Sequence, residues 1–178
     1  MIGINVEKAH GDYDPGTSKF FGSPTMPEEW LENGTVGDDD FFFCQLRISE
    51  FKNRDTSSLL SDRGFIYIFL TEKDGEYIPN VRYCKDEPDT IIDDFNVGFD
   101  LPEDIETDFS IDFFDTDNAD DGTRLLVENG DEITLLQYDP LDDNMPEFLA
   151  DTEKIAYFKI AKSDLKNLDF SNVKFTIE

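Results

Sequence analysis

The 178 residues suffice for one domain with a substantial hydrophobic core, and 17 phenylalanines distinguish the chain from a disordered acidic tail. Its 42 acidic and 15 basic residues give a formal net charge of −27. Direct binding to nucleic acids or anionic membranes depends on Lys and Arg, so this charge argues against both partners.

The N-terminal sequence, MIGINVEKAHGDYDPG, has no basic stretch followed by an apolar run, so no secretory signal is predicted. No later apolar run approaches the roughly 18 residues that a membrane helix needs. We therefore expect a cytoplasmic protein.

Helical segments are few and short. One is predicted at 26–33, where Pro27 precedes two acidic residues, and another at 163–168, where Ser163 can cap the first turn. A third is predicted over Ser49–Leu60, and MPEFLA at 145–150 can form a single turn.

Strands are predicted where short runs rich in Phe, Tyr, Ile and Val are bounded by turn residues. These runs are Phe41–Ile48, Gly64–Thr71, Asn80–Cys84, Glu132–Asp139, Ile155–Ala161 and Asn172–Ile177. The connections are too short for regular helical crossovers. The expectation is a single α+β domain over 1–178, with an antiparallel-rich sheet and a few short helices.

An internal repeat relates the two ends of the chain. The segment from FFCQL to DRGFIYIFLTEKDG resembles the segment from TLLQYDP to FLADTEKIAYFKIAKSDL, and each has a Gln in one strand and a Tyr in the next. We predict two related halves, roughly 19–84 and 124–178, which pack together because neither can bury its apolar face alone. A chance similarity of short strand pairs is the alternative. An acidic segment, 86–121, joins the halves.

These residues also carry a family resemblance. KFFGSPTMPEEW, FFFCQLRISEF, LLSDRGFIYIFL, VRYC, LLQYDP and IAYFKIAKSDLKNLDFSNVKFTIE resemble the YwqG-like family of bacterial proteins, which has no established function. The resemblance covers about 20–84 and 124–178 and implies one compact α+β domain of the bacterial cytoplasm. It implies that Gly22, Pro24, Trp30, Gln45, Gly64 and Gln137 are family pattern positions. The chain departs from longer relatives where the acidic segment replaces a second Gly-x-Pro-like element.

Few residues have the types that common catalytic sites need. His10 is the single histidine, in a predicted loop, and no Ser or Cys lies in a recognisable nucleophile motif. Cys44 and Cys84 lie in strand-like sequence, which favours buried free thiols over a disulfide or a reactive thiol. Carboxylate pairs stay open because acidic residues are abundant. The chain is therefore more typical of a protein without catalytic activity.

The acidic segment contains a partial match to a calcium loop. Asp117 as the first ligand would place Asp121 and Glu128 at two further ligand positions of a twelve-residue loop, with Gly122 at the turn. Ala119 at the third position offers no ligand, and Arg124 replaces an apolar residue. No dedicated cofactor is expected, and weak Ca²⁺ binding by clustered carboxylates is the alternative.

The same segment also resembles a docking surface. It holds 15 of the acidic residues and no Lys or Arg. Phe109, Ile111 and Phe113 alternate with polar residues, which predicts a strand whose aspartates face water. Carboxylates of this kind can attract a basic protein, or they can be an ordinary solvated surface. The candidate contact residues are Asp112, Asp115, Asp117, Asp120 and Asp121.

Three further residues are candidates for a ligand pocket at the junction of the halves. Trp30 can stack on a ligand or anchor an N-terminal turn on the core. Gln45 and Gln137 can line a shared pocket or satisfy buried backbone groups. The predicted function is a non-catalytic binding module for a basic protein partner, as in an immunity protein or antitoxin. The alternative is a carboxylate-dependent enzyme acting on a small molecule or sugar at the junction.

Overall fold

The computed structural model describes residues 1–117 and 122–178, and its main element is one sheet of ten strands. The strands are β1 (Ile2–Lys8), β2 (Lys19–Phe20), β3 (Phe41–Arg47), β4 (Phe65–Lys73), β5 (Glu76–Cys84), β6 (Phe109–Asp115), β7 (Arg124–Asn129), β8 (Glu132–Tyr138), β9 (Ala156–Ala161) and β10 (Lys174–Ile177). The helices are α1 (Glu29–Glu32), α2 (Ile48–Phe51) and α3 (Lys162–Lys166), with 3₁₀ turns at Lys52–Arg54, Glu103–Glu106 and Ala150–Thr152.

The α+β prediction was wrong. The chain is 38% strand and 13% helix, and every pairing between these strands is antiparallel. The predicted helix over Ser49–Leu60 is limited to α2 and one 3₁₀ turn. A helical layer is not needed because the sheet curves until it buries its apolar face against itself.

The curved sheet is nearly closed. Its edge strands, β5 and β10, approach each other through side chains, with the Tyr77 and Phe175 rings 6.2 Å apart. The interior is filled by aromatic and aliphatic side chains from both ends of the chain. Phe43 lies among them, with ring centroids 5.1 Å from Tyr138 and 5.3 Å from Phe158. This packing joins the two ends of the chain in one core.

Strand order divides the sheet into two similar parts. The order is β10-β9-β8-β7-β1-β6-β2-β3-β4-β5, so β2 to β5 and β7 to β10 follow the same course in opposite directions. The strand that precedes each part in the chain pairs with the other part, because β1 pairs with β7 and β6 pairs with β2. We call β2–β5 the first half and β7–β10 the second half, and β1 and β6 the exchanged strands. The exchanged strands lie side by side at the centre of the sheet.

The two halves also share local detail. Gln45 pairs with Tyr67 across β3 and β4, and Gln137 pairs with Tyr157 across β8 and β9. A β-bulge interrupts β3 and β8 just before the glutamine. Each bulge adds one residue to the strand, so two consecutive apolar residues, Phe43–Cys44 and Leu135–Leu136, both lie in the core. The following glutamine is directed to the outer face.

A second, smaller apolar cluster covers the outer face of β3 and β4. It contains Phe42, Tyr67 and Phe69, with Trp30 and Phe95 packed against it from the covering segments. The acidic segment thus has a structural role through its apolar residues. Among the described residues, no helix is long and apolar enough to cross a membrane.

Candidate functional site

The acidic segment presents most of its carboxylates to solvent. Between 86 and 117 its exposed acids are Asp86, Glu87, Asp89, Asp93, Asp94, Asp100, Glu103, Glu106, Asp112, Asp115 and Asp117. Two of them form ion pairs: Glu87 with Arg47 at 2.6 Å, and Asp115 with Arg54 at 2.8 Å. The predicted contact residues Asp120 and Asp121 lie outside the described residues. The surface therefore keeps a large excess of negative charge.

Apolar side chains divide between the core and this surface. On β6, Phe109 and Ile111 are buried, whereas Asp112, the next residue, is exposed. Side chains that alternate between the two faces of a strand produce this pattern. Ile91 and Val97 are 39% and 54% exposed. Phe114 on β6 is also 39% exposed, so the described part of the acidic segment offers three accessible large apolar side chains among its carboxylates.

The predicted calcium ligands have other surroundings. Glu128 receives a hydrogen bond from Lys162 Nζ at 2.6 Å and another from the Ser57 hydroxyl. Asp117 is exposed beyond the end of β6, and Asp121 lies outside the described residues. Over 1–117 and 122–178, no group of three or more His, Cys, Asp or Glu side chains is arranged to hold a metal ion. Calcium binding stays a prediction.

Trp30 packs against the apolar cluster on the outer face of β3 and β4, and Gln45 lies on β3 beneath the segment that contains Thr17 and Thr25. The Trp30 ring packs edge-on against Tyr67 at 5.2 Å. Gln45 is fully buried; its Oε1 accepts from the backbone N–H of Thr25 at 2.9 Å, and its Nε2 donates to the Thr17 carbonyl at 2.7 Å. The two hydrogen bonds of Gln45 hold the segment from Thr17 to Thr25 on the sheet.

Gln137 has the corresponding position in the second half. Its Nε2 donates to the carbonyl of Gly122 at 2.8 Å. Four strands separate β3 from β8, which is about 24 Å around the sheet at the usual strand spacing. The structure therefore does not bring Gln45 and Gln137 together, and each satisfies backbone groups within its own half.

One cavity lies beside β6 and another beside β1, the two exchanged strands. The Glu50 pocket, about 410 Å³, is lined by Tyr13, Asp14, Thr17, Glu50, Ser110 and Asp112 among others. The Arg124 pocket, about 220 Å³, is lined by Gly3, Asn5, Phe114, Gly122, Arg124 and Asp142 among others. Strand register makes them equivalent, because Ser110 lies opposite Lys19 in one half and Gly3 opposite Arg124 in the other.

The carboxylates of the two pockets are held in the same way. The backbone N–H of Ser18 donates to Glu50 Oε2 at 2.9 Å, and that of Thr123 donates to Asp142 Oδ2 at 2.8 Å. Burial raises the pKa of Glu50 above its ordinary value, and the hydrogen bond from Ser18 opposes that shift. Glu50 therefore keeps a proton to a higher pH than a solvated glutamate.

The buried cations beside the pockets differ. Lys19 is inaccessible to solvent, and its Nζ donates to Asp108 Oδ2 at 3.0 Å, to the Tyr13 hydroxyl at 3.2 Å and to the carbonyl of Ser23. Burial lowers the pKa of Lys19, and the charge of Asp108 opposes that shift. Burial and the hydrogen bond to Asp108 raise the pKa of Tyr13. Each Lys19 proton thus has an acceptor.

Within 1–117 and 122–178, Arg124 has no such set of acceptors. Its side chain is buried, with the residue 3% exposed, and its Nη1 has no hydrogen-bond partner among the described residues. Gly3 lies opposite Arg124 as Ser110 lies opposite Lys19. Met1, two residues before Gly3, therefore corresponds to Asp108, two residues before Ser110, and Met1 has no carboxylate side chain. The two halves therefore differ most in how they neutralise this cation.

The two thiols are not activated. Burial raises the pKa of Cys44 well above its ordinary value and also raises that of the half-buried Cys84. Both are free, in agreement with the prediction of free thiols. A thiol with a raised pKa is mostly protonated near neutral pH and is a poor nucleophile.

Lys19, Arg124 and Glu50 were not among the predicted site residues. A signal was present, because SKFF and TRLL both place a basic residue between a hydroxyl residue and two apolar ones, near the start of each half. In a chain with so few bases, a cation in strand-like apolar sequence indicates a specific partner.

Comparison with protein-family models gave no match, and comparison with curated proteins gave no significant match.

Proposed function

We propose that this protein is a cytoplasmic, non-catalytic binding module of YwqG-like type, whose acidic segment binds a protein with a basic surface. The observation that supports this is the set of exposed carboxylates between 86 and 117, of which two are neutralised by ion pairs. Such a surface attracts Lys- and Arg-rich partners over a distance of about 10 Å at moderate salt. An immunity protein or antitoxin would use it in this way.

The exposed apolar residues add to the proposal. Ile91 lies between Asp89 and Asp93, and Val97 lies between Asp94 and Asp100. Interfaces gain affinity chiefly from buried apolar anchors, whereas surrounding charges raise the association rate and select the partner. The acidic segment contains both kinds of side chain.

The binding proposal predicts salt-dependent association. Once a basic partner has been identified by capture, its affinity should fall at least tenfold between about 50 and 300 mM salt, because screening shortens the range of the attraction. A triple variant, Asp89→Asn, Asp93→Asn and Asp94→Asn, should weaken the complex by a similar factor, measured by surface plasmon resonance.

A control variant with the same charge change lies elsewhere on the sheet. Glu72→Gln, Asp74→Asn and Glu76→Gln alter the β4–β5 hairpin, whose side chains at these positions are exposed. The control should change the affinity less than threefold. Equal losses in both variants would show only a general effect of net charge, and a complex indifferent to salt would refute the proposal.

A second function is favoured by one observation. The Glu50 pocket contains the carboxylates of Asp14 and Asp112 beside a Glu50 whose pKa is raised. A carboxyl with a raised pKa among neighbouring carboxylates is a pattern found in acid–base catalysis on sugars and small molecules.

The enzyme alternative predicts turnover that depends on Glu50. Nitrophenyl glycosides are suitable probes, and Glu50→Gln should abolish hydrolysis while keeping the acceptor that holds the N–H of Ser18. Glu72→Gln, an exposed glutamate on β4, should leave the rate unchanged. No hydrolysis by the unmodified protein, or equal rates in all three proteins, would remove glycoside hydrolysis from consideration.

A further inference from the structure

A short ladder of two extended segments lies on the outer face of the first half. Thr25 and Ile91 form an antiparallel bridge. The N–H of the residue after each of them donates to the carbonyl of the residue before the other, at 3.1 and 2.9 Å. In a pair of this kind each residue directs its own N–H and carbonyl away from the other segment. The ladder therefore has two outer edges.

The edge at Thr25 is closed by buried side chains of the sheet. The N–H of Thr25 donates to Gln45 Oε1 at 2.9 Å, and its carbonyl accepts from the Tyr67 hydroxyl at 2.7 Å. Gln45 and Tyr67 are both inaccessible to solvent. This half of the ladder is thus fixed to β3 and β4.

The edge at Ile91 is open. Its N–H and carbonyl make no hydrogen bond to other described residues, and Ile91 is 39% exposed. Buried backbone groups are nearly always paired, so these two groups face solvent. The described residues on either side of 118–121 have other contacts: Thr116 donates to the Met1 carbonyl, and Gly122 accepts from Gln137.

Side chains along the open segment alternate as in a strand. Asp89, Ile91 and Asp93 are exposed, whereas Thr90 and Ile92 are half-buried, with Ile92 packed against the outer apolar cluster. One face of the segment therefore presents an apolar side chain between two carboxylates. A strand added to this edge would place its alternate residues opposite these three side chains.

We propose that the open edge at 89–93 binds an extended segment of the basic partner by strand addition. The bound segment carries Lys or Arg at alternate positions on both sides of an apolar residue. Main-chain hydrogen bonds to Ile91 supply affinity, and the basic side chains opposite Asp89 and Asp93 supply specificity. This inference rests on the proposed function, because it assigns the part of the acidic segment that the partner contacts.

Charge at this edge selects against a second copy of the chain. Antiparallel pairing of two such edges about Ile91 would place Asp89 of one copy opposite Asp93 of the other. Like charges directly opposite each other destabilise a strand pair, whereas opposite charges stabilise it. The edge therefore accepts a basic strand and rejects its own kind.

Peptide titrations followed by ¹⁵N–¹H NMR test strand addition. The probe is the acetylated and amidated peptide TKTVTKT, which should shift the Ile91 amide signal. The same peptide N-methylated at valine loses a main-chain donor but keeps its charge, and TTKVKTT places both lysines on the wrong face. Each should bind at least fivefold more weakly. Equal affinity of the N-methylated peptide, or no shift at Ile91 with TKTVTKT, would refute strand addition.

Variants separate this inference from the proposed function. Ile91→Pro removes the N–H of the open edge and keeps the carboxylates, so it should weaken TKTVTKT and any captured basic partner at least fivefold. Ile91→Thr tests the apolar contact, and Ile78→Thr, which changes an exposed isoleucine on β5, is its matched control. If Ile91→Pro fails to fold, the N-methylated peptide decides. A captured partner that is weakened by the triple Asp→Asn variant but unaffected by Ile91→Pro would uphold the acidic surface and refute the edge.

Discussion

Replacing Lys19 with Met is expected to lower the free energy of unfolding by about 3 kcal/mol, because removing one partner of a buried ion pair leaves the other uncompensated. Asp108 would lose the ammonium group, and the carbonyl of Ser23 would lose a donor. Chemical denaturation followed by circular dichroism measures the change, with the slope of unfolding against denaturant expected to stay constant.

The quasi-equivalent cation in the second half provides the control. Arg124→Met should lower the free energy of unfolding by about 1 kcal/mol at most, because Nη1 has no partner to lose among the described residues. Equal losses in Lys19→Met and Arg124→Met would show that both cations are neutralised to the same degree.

Replacing Phe43 with Ala is expected to lower the free energy of unfolding by about 3–5 kcal/mol, the usual range for removing a buried phenyl ring. The Phe43 ring packs against Phe20 at 5.6 Å in its own half and against Tyr138 at 5.1 Å in the other. Since the ring contacts both halves, the variant should still unfold in one transition at lower denaturant concentration.

Phe114→Ala is the matched control for that experiment. Phe114 is 39% exposed, and its ring lies over the backbone of Gly3 rather than in the core. Its loss should lower the free energy of unfolding by about 1 kcal/mol or less. Two separate unfolding transitions in Phe43→Ala would contradict the single shared core, because they would show that the halves unfold independently.

Local alternation was enough to predict six strands, and each overlaps an observed strand between β3 and β10. β6 was also indicated by the alternation of Phe109, Ile111 and Phe113, and the structure places Phe109 and Ile111 in the core. β1 carries the same signal in Ile2, Ile4 and Val6 but was considered only as a possible leader. The fold class was wrong because short helical patterns do not reveal whether helices form a layer.

The candidate residues were harder to predict than the strands. Acidic residues were expected at the surface, and exposed Asp112, Asp115 and Asp117 lie there because ionised side chains lose solvation when buried without partners. The pocket proposed for Gln45 and Gln137 depended on contact between halves, which the strand order does not provide.

The amino-acid sequence by itself determined the alternation of apolar and polar residues along the strands, the concentration of negative charge between 86 and 121, and the scarcity of histidine and cysteine. Tertiary structure alone decided that β1 and β6 exchange places, that the sheet nearly closes, and that Lys19, but not Arg124, pairs with a carboxylate of the described residues. The physical reason is that side-chain alternation is set by neighbours along the chain, whereas strand partners and buried charge pairs depend on residues far apart in sequence.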